Sequence, residues 1–187
     1  DIKANVYGVF TRAEEVGLIG ARLVERDKQL PENTTIVSIE SSRTIPGAEQ
    51  GKGPVVRTGD ASYTFDGGAE RLLLRTGSLL KENDSDFQYQ RQLMSGGTCE
   101  ATAFALQGYQ VTGLAYPLGN YHNQGNPSEV SPAGSVELEN IHEEDFHNGI
   151  RLLTEAVTIS EYEDQTPLAK RLADVSITDE QHLINSS

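Results

Sequence analysis

The chain has 187 residues, of which 36% are hydrophobic, and its formal net charge is −13 at pH 7. This length is sufficient for one domain with a substantial hydrophobic core. The negative charge argues against nucleic acid and anionic membranes as partners, because phosphate groups are bound by basic surfaces. No apolar stretch of the sequence is long enough to span a bilayer, so we expect no membrane partner.

Cys99 is the only cysteine, which excludes an internal disulfide. Because nothing else indicates an oxidising compartment, we expect a cytoplasmic protein. The first residue is Asp1, which lies only a few residues before the first predicted strand. A natural domain seldom begins so close to a core strand, so we expect a fragment or a processed form of a longer protein.

The first structural elements place two glutamates at a strand–helix junction. Residues 5–10 are mostly apolar, β-branched or aromatic, which predicts a buried strand. Apolar residues then recur at helical spacing and predict a helix over 14–26. Ligands of open α/β sheets bind beyond the carboxyl ends of strands, where one of Glu14 and Glu15 could ligate a metal while the other transfers protons. The alternative is an acidic first helical turn facing the positive end of the helix dipole.

A third glutamate follows the second predicted strand, over 34–39, which ends at Glu40. If both strands end at the same edge of the sheet, Glu40 lies close to Glu14 and Glu15. A carboxylate oxygen is a normal zinc donor, so Glu40 is a candidate metal ligand. The alternative is a strand-end carboxylate exposed to solvent.

The middle of the chain contains a glycine-rich loop formed by Gly96, Gly97 and Thr98. Paired glycines let a backbone approach a ligand closely, which makes this loop a candidate substrate-binding segment. Cys99 follows it and could be a nucleophile, because a lone cysteine with a histidine elsewhere is a known catalytic pattern. A buried small side chain is nevertheless the commoner role of a free cysteine.

His122 lies in a loop rich in glycine and asparagine, directly after a predicted strand over 109–118. Core packing explains such a histidine poorly, so His122 is a candidate metal ligand whose ring Asn120 and Asn123 could orient. The alternative is a polar surface histidine.

Taken together, the elements predict one α/β domain, a mixed β-sheet flanked by helices, over residues 1–160. A short helix and a tail follow over 161–187. The remaining predicted elements are strands near 55, over 87–93 and over 135–141, helices over 66–82 (capped by Asp66), 101–108, 143–158 and 166–175, and a frayed tail over 177–187.

Residues 14–21, Glu-Glu-Val-Gly-Leu-Ile-Gly-Ala, resemble the signature Glu-Glu-Val-Gly-Leu-x-Gly-Ala of the co-catalytic dizinc aminopeptidases. This is the glutamyl aminopeptidase and tetrahedral aminopeptidase family, metallopeptidase family forty-two. Three later stretches resemble the family in the same order, at 51–54, 96–101 and 117–122. The resemblance covers about residues 2–157 and implies the carboxyl-terminal part of a catalytic domain with a phosphorylase/hydrolase-like fold.

The resemblance also implies an activity and a set of roles. A metal-activated water would attack the amino-terminal peptide bond of a peptide, with Glu14 as the proton-transferring group. Glu15, Glu40 and His122 would ligate two zinc ions, with cobalt or manganese as alternatives, and residues 96–98 would contact the substrate. The sequence departs from the family pattern in three respects. Glu40 and Cys99 each stand where the family usually has Asp, and the Arg of the family's turn before the histidine is absent, with Asn120 nearby.

The family's upstream histidine ligand, its bridging aspartate and its dimerisation domain have no counterpart in this sequence. We therefore expect an incomplete metal site, weak zinc binding, little activity of the 187-residue chain, and a homo-oligomer other than the family's dodecamer. Two alternatives stay open. One is a non-catalytic remnant of the peptidase fold or a binding module. The other is an amide hydrolase of the same clan, such as a deacylase or carboxypeptidase, although residues 16–21 argue against it.

Overall fold

The computed structural model describes residues 4–125, 134–159 and 177–186, and it confirms the predicted mixed α/β sheet flanked by helices. The elements in chain order are α1 (Ile19–Arg26), β1 (Thr35–Arg43), β2 (Val55–Arg57), α2 (Gly67–Asn83), β3 (Gln90–Gln92), α3 (Glu100–Ala105), β4 (Gln110–Leu118), a 3-10 turn (Tyr121–Asn123), α4 (Glu143–Ile159) and α5 (Ile177–Ile184). The sheet has the strand order β1-β4-β2-β3. β1 pairs with β4 and β2 pairs with β3 in parallel, and β2 pairs with β4 antiparallel.

Helices cover both faces of the sheet, and alternation along β4 assigns its residues to the two sides. Val111 packs with Ala21 of α1 and Phe104 of α3 in one buried cluster. Leu114 and its neighbours on the opposite face pack against α2 and α4 in a second cluster, which includes Val56, Leu73, Tyr116, Leu152 and Ala156. None of the helices in the described ranges is long and apolar enough to cross a membrane.

The sheet register places one row of residues beside the candidate site. Gly113 of β4 lies opposite Ser38 of β1 on one side and Arg57 of β2 on the other. β1 and β4 run in parallel and their last residues, Arg43 and Leu118, are paired, so the carboxyl ends of both strands lie side by side. The chain segments that follow these two strands therefore leave the sheet on the same side.

The prediction of a buried strand over 5–10 is wrong. This segment is exposed and belongs to no strand of the described sheet, and the Phe10 side chain is 97% exposed. A cavity of about 690 Å³, lined by 4–11 and 34–39 among others, lies between it and β1. Apolar and β-branched residues favour a strand only where a neighbouring strand pairs with them, because β-propensity depends strongly on context.

Two boundaries near the candidate site also differ from the prediction. The first helix begins at Ile19 instead of Glu14, because Ala13, Gly17 and Leu18 have positive φ angles that a right-handed helix excludes. β1 continues to Arg43, so Glu40 lies inside the strand and not at its end. Both glutamates of the Glu-Glu pair consequently lie in a turn ahead of the helix.

The other elements agree with the prediction to different degrees. Helix α2, with its Asp66 cap, and helix α4 are confirmed. Residues 135–141 contribute only isolated bridges instead of a strand, β3 and α3 are shorter than predicted, and residues 177–184 form a helix instead of a frayed tail. The predicted helix over 166–175 lies outside the described residues.

Candidate functional site

Two contacts hold the turn that carries Glu14 and Glu15 against neighbouring parts of the chain. The hydroxyl of Thr11 donates a hydrogen bond of 2.5 Å to a carboxylate oxygen of Glu100, the first residue of α3. Gly20 of α1 packs directly on the preceding backbone, where an added Cβ would come within 2.6 Å of the backbone nitrogen of Arg12. Only glycine fits this close approach, so local packing explains why the motif has glycine at position 20.

Glu14 lies near other carboxylates whose negative charges raise its pKa. Burial raises the pKa of Glu14 above its ordinary value, and the charges of Glu40, Glu15 and Glu100 raise it further. Arg57 acts in the opposite direction. We use the name carboxylate group for Glu14, Glu40 and Glu100, which lie within electrostatic reach of one another; Glu15 is exposed beside them.

Glu40 is held on the β1 face that points towards α1 and α3. The Ser38 hydroxyl, two residues earlier on the same face, donates a hydrogen bond of 2.7 Å to a Glu40 carboxylate oxygen. Burial raises the pKa of Glu40, although the Ser38 hydrogen bond and the positive charge of Arg57 act against it. A partly buried carboxylate of this kind retains free lone pairs for a further partner.

Arg57 is the functional residue that the sequence analysis missed. It is only 3% exposed, and its guanidinium lies over the Phe65 ring at 5.9 Å from the centroid. Within the described ranges, its Nε is the buried side-chain polar atom without a hydrogen-bond partner. The sequence does contain a signal for Arg57, which is a charged residue in the apolar run that begins at Pro54. Charged side chains are rarely buried without a partner, so a charge in a buried strand indicates a special environment.

His122 lies just beyond the end of β4, close to the end of β1, and is not part of the carboxylate group. Its backbone has a left-handed conformation (φ 57°), its ring stacks on Tyr121 at 4.0 Å, and its backbone N–H donates to a carboxylate oxygen of Glu139. The guanidinium of Arg43, at the end of β1, lies 5.0 Å from the Tyr121 ring centroid. The His122 loop therefore packs beside the end of β1, with the histidine side chain exposed.

These residues do not fit a pair of divalent ions as they are arranged. No three His, Cys, Asp or Glu side chains of the described residues lie close enough together to hold a metal ion. The expected cluster of Glu15, Glu40 and His122 is therefore not formed. The donor types are suitable for zinc, but the buried guanidinium of Arg57 acts on the same carboxylates.

The glycine-rich loop, residues 96–98, is exposed and follows β3. The carbonyl of Gly97 accepts a hydrogen bond of 3.0 Å from the backbone N–H of Ala61, and the Thr98 hydroxyl contacts that of Ser62. An added Cβ at either glycine would meet nothing within 4 Å. The loop thus leaves open space at both glycines, and its substrate-binding role stays a prediction.

Cys99 has the environment of a structural cysteine. Its side chain is buried, and this burial raises the pKa of the thiol to about 12. A catalytic cysteine needs a lowered pKa so that the thiolate is present at neutral pH. The structure therefore argues against the nucleophile alternative.

Residues 1–131 match the family model described as M42 glutamyl aminopeptidase, which is well over half of the chain. The chain belongs to this family. Membership supports a peptidase function and, in general, the use of a divalent metal by the family. No curated protein matches the chain at a significant level.

Solved structures of two TET1 peptidases and of a further archaeal aminopeptidase are similar to the M42 chain. A PhTET1 dodecamer matches with 26% identity and a TM-score of 0.57, and the match covers 80% of this chain and 40% of that one. A Pyrococcus horikoshii TET1 peptidase, described as assembling into a tetrahedron or a large octahedral shell, matches with 24% identity, a TM-score of 0.57, and coverage of 79% and 39%. An aminopeptidase from Desulfurococcus kamchatkensis matches with 23% identity, a TM-score of 0.55, and coverage of 81% and 40%.

The chain thus spans about 40% of the length of these structures. The matches under 25% identity support the fold alone. The M42 chain shares with these enzymes the sheet and flanking helices.

Proposed function

We propose that this M42 chain contributes to an aminopeptidase that hydrolyses the amino-terminal peptide bond of peptides. The observation that carries the proposal is the position of Glu14, which follows the extended segment 4–11 and lies within electrostatic reach of Glu40 in a chain of this family. Glu14 is partly buried, and burial together with the neighbouring carboxylates raises its proton affinity. A carboxyl group of raised pKa suits a residue that accepts a proton from water and returns it to a leaving amine.

The proposed metal ligands are Glu15, Glu40 and His122, with zinc as the expected ion and cobalt or manganese as alternatives. Oxygen and imidazole nitrogen donors of this kind are typical of zinc sites. Glu15 and His122 would ligate one ion and Glu40 the other, so neither ion would have the three protein ligands that are usual for a catalytic zinc site. The proposal also includes substrate contact by the glycine-rich loop, a homo-oligomeric assembly and a cytoplasmic location.

Our first prediction concerns Glu14 and uses a chromogenic aminoacyl-anilide assay with added zinc or cobalt. We expect the unaltered chain to release the anilide slowly, because its site is incomplete, and Glu14→Gln to reduce the rate roughly 100-fold or more, as general acid–base groups typically contribute 10²–10⁴-fold. The control is Glu32→Gln, which removes one exposed carboxylate from the turn before β1. Equal rates in all three proteins would overturn the role of Glu14.

The second candidate function is that of a peptidase fold without catalysis, acting as a binding module. The observations that favour it are the buried Arg57 and the absence of a three-ligand group among the described residues. The two candidates are separated by the same assay, because a non-catalytic chain gives no turnover at any metal concentration.

A further inference from the structure

A buried cation extends across the sheet towards the carboxylate group. Arg57 on β2 lies opposite Gly113, which lies opposite Ser38 on β1. Neighbouring strands are about 4.8 Å apart, so Arg57 and Ser38 are separated by about 10 Å. Gly113 has no side chain in this space, and an added Cβ there would lie 3.1 Å from Cδ of Arg57. The arginine side chain therefore runs over Gly113 towards the strand that carries Glu40.

Glu40 lies on the same face of the sheet as this cation, where its carboxylate accepts a hydrogen bond from the Ser38 hydroxyl. A buried charge is costly unless an opposite charge or hydrogen bonds compensate it, and the Arg57 Nε has no hydrogen-bond partner there. Arg57 also lowers the pKa of both Glu14 and Glu40, against the larger raising effect of burial, in agreement with this placement. Arginine does not lose its proton at any physiological pH, so this compensation is permanent.

We propose that Arg57 is a fixed counter-ion of the carboxylate group and that its guanidinium lowers the affinity of the chain for divalent metal ions. The inference rests on the proposed function only in taking Glu40 as a metal ligand. A divalent ion arriving at Glu40 meets a positive charge that is buried and cannot move into solvent. The same carboxylates therefore cannot be fully available to both cations.

The test is isothermal titration calorimetry of the whole chain with Zn²⁺ at neutral pH. We expect Arg57→Gln to bind Zn²⁺ roughly tenfold more tightly than the unaltered chain, because a repulsive charge close to the site has been removed. Arg57→Lys, which retains the charge, should bind as weakly as the unaltered chain. Arg91→Gln is the matched control for net charge, since Arg91 is exposed on β3 and pairs with Glu70.

A second neutral variant and a second measurement guard against misfolding. Arg57→Met fills the apolar space beside Phe65 with a flexible side chain, and the rise in Tm caused by Zn²⁺ should be larger in this variant than in the unaltered chain, because an ion that binds the folded state stabilises it. Equal affinities and equal Tm shifts in the charged and neutral variants overturn the counter-ion role but leave the metal-binding proposal intact. If none of these proteins binds Zn²⁺, the counter-ion role is overturned, because removal of the charge does not restore binding, and the proposed function is decided separately by the anilide assay.

Discussion

Asp60 is the residue that fixes the start of α3 beside the glycine-rich loop. One carboxylate oxygen accepts hydrogen bonds from the backbone N–H groups of Ser62 and Tyr63, and the other accepts from the backbone N–H of Cys99 and the hydroxyl of Thr102. Burial alone would raise the pKa of Asp60, but the four hydrogen bonds outweigh it, so the pKa lies below its ordinary value. The ionised form of Asp60 therefore stabilises the folded chain.

We predict that Asp60→Asn lowers the free energy of unfolding by about 2–4 kcal/mol at pH 7, because an amide NH₂ group would face donors that need an acceptor. The folded-state pKa lies below the unfolded one, so the contribution of Asp60 is present above the unfolded pKa and is lost as the pH falls through the folded pKa. The difference between the two proteins in urea unfolding should accordingly stay constant from pH 7 to about pH 5 and shrink as the pH falls below about 4.

The control for this measurement is Asp86→Asn, which changes an exposed aspartate in the turn after α2. A deficit for Asp60→Asn that is the same at every pH would contradict the charge argument. It would indicate that the loss comes from altered packing around the side chain instead of from the ionised carboxylate.

At the scale of elements, the Glu-Glu motif lies in a turn and not in the first turn of a helix. Helix α1 begins four residues after Glu15 and has no acidic residue in its first turn. The favourable interaction of an acid with the helix dipole falls off within the first turn, so it does not explain this pair. The alternative interpretation of the motif as a helix-start signal is therefore wrong for this chain.

Helix α2 begins with a side-chain cap that can be tested by itself. A carboxylate oxygen of Asp66 accepts hydrogen bonds from the backbone N–H groups of Gly68 and Ala69 at 2.7 and 2.8 Å. We predict that Asp66→Ala lowers the free energy of unfolding by about 1 kcal/mol, because two helix N–H groups lose their acceptor. Chemical denaturation monitored by circular dichroism measures this change.

The matched variant is Asp66→Asn, which retains an oxygen acceptor at the same position and should unfold nearly like the original chain. A loss as large for Asn as for Ala would show that the negative charge, and not the hydrogen-bonded cap, is the stabilising feature.

At the scale of the whole molecule, one side of the sheet is open. Within the described residues β1 pairs with β4 alone, and the cavity of about 690 Å³ separates its other side from the exposed segment 4–11. The chain buries apolar residues on both faces of the sheet but leaves this edge without a partner strand. Edge strands of this kind readily pair with further backbone.

We predict that the 187-residue chain does not form the dodecamer described for PhTET1. It spans about 40% of the length of that chain and so carries only part of the surface from which such an assembly is built. Size-exclusion chromatography with multi-angle light scattering should give a mass far below twelve times the 20.4 kDa of one chain. A dodecamer mass would refute this prediction and would show that the assembly surfaces lie within these residues.

The sequence determined the elements whose stability is local or follows from a regular apolar pattern. The cap and apolar spacing of α2 and the apolar face of α4 predicted both helices closely, and the motif at 14–21 predicted the family. Glu14 and Glu40 were also expected to lie close together, which stays a prediction, and the charge of Glu40 raises the pKa of Glu14. Patterns of this kind are readable because the residues concerned are close in sequence.

The tertiary structure decided the features that depend on distant residues. The segment 5–10 has the composition of a strand but lies beside a cavity instead of a partner strand. His122 follows β4 near the end of β1 without forming a three-ligand group with Glu40 among the described residues. Arg57 reaches that group only because Gly113, more than fifty residues later, leaves room for it on the neighbouring strand. A sequence records which side chains exist, whereas strand order and register decide which of them share a space and compensate one another's charge.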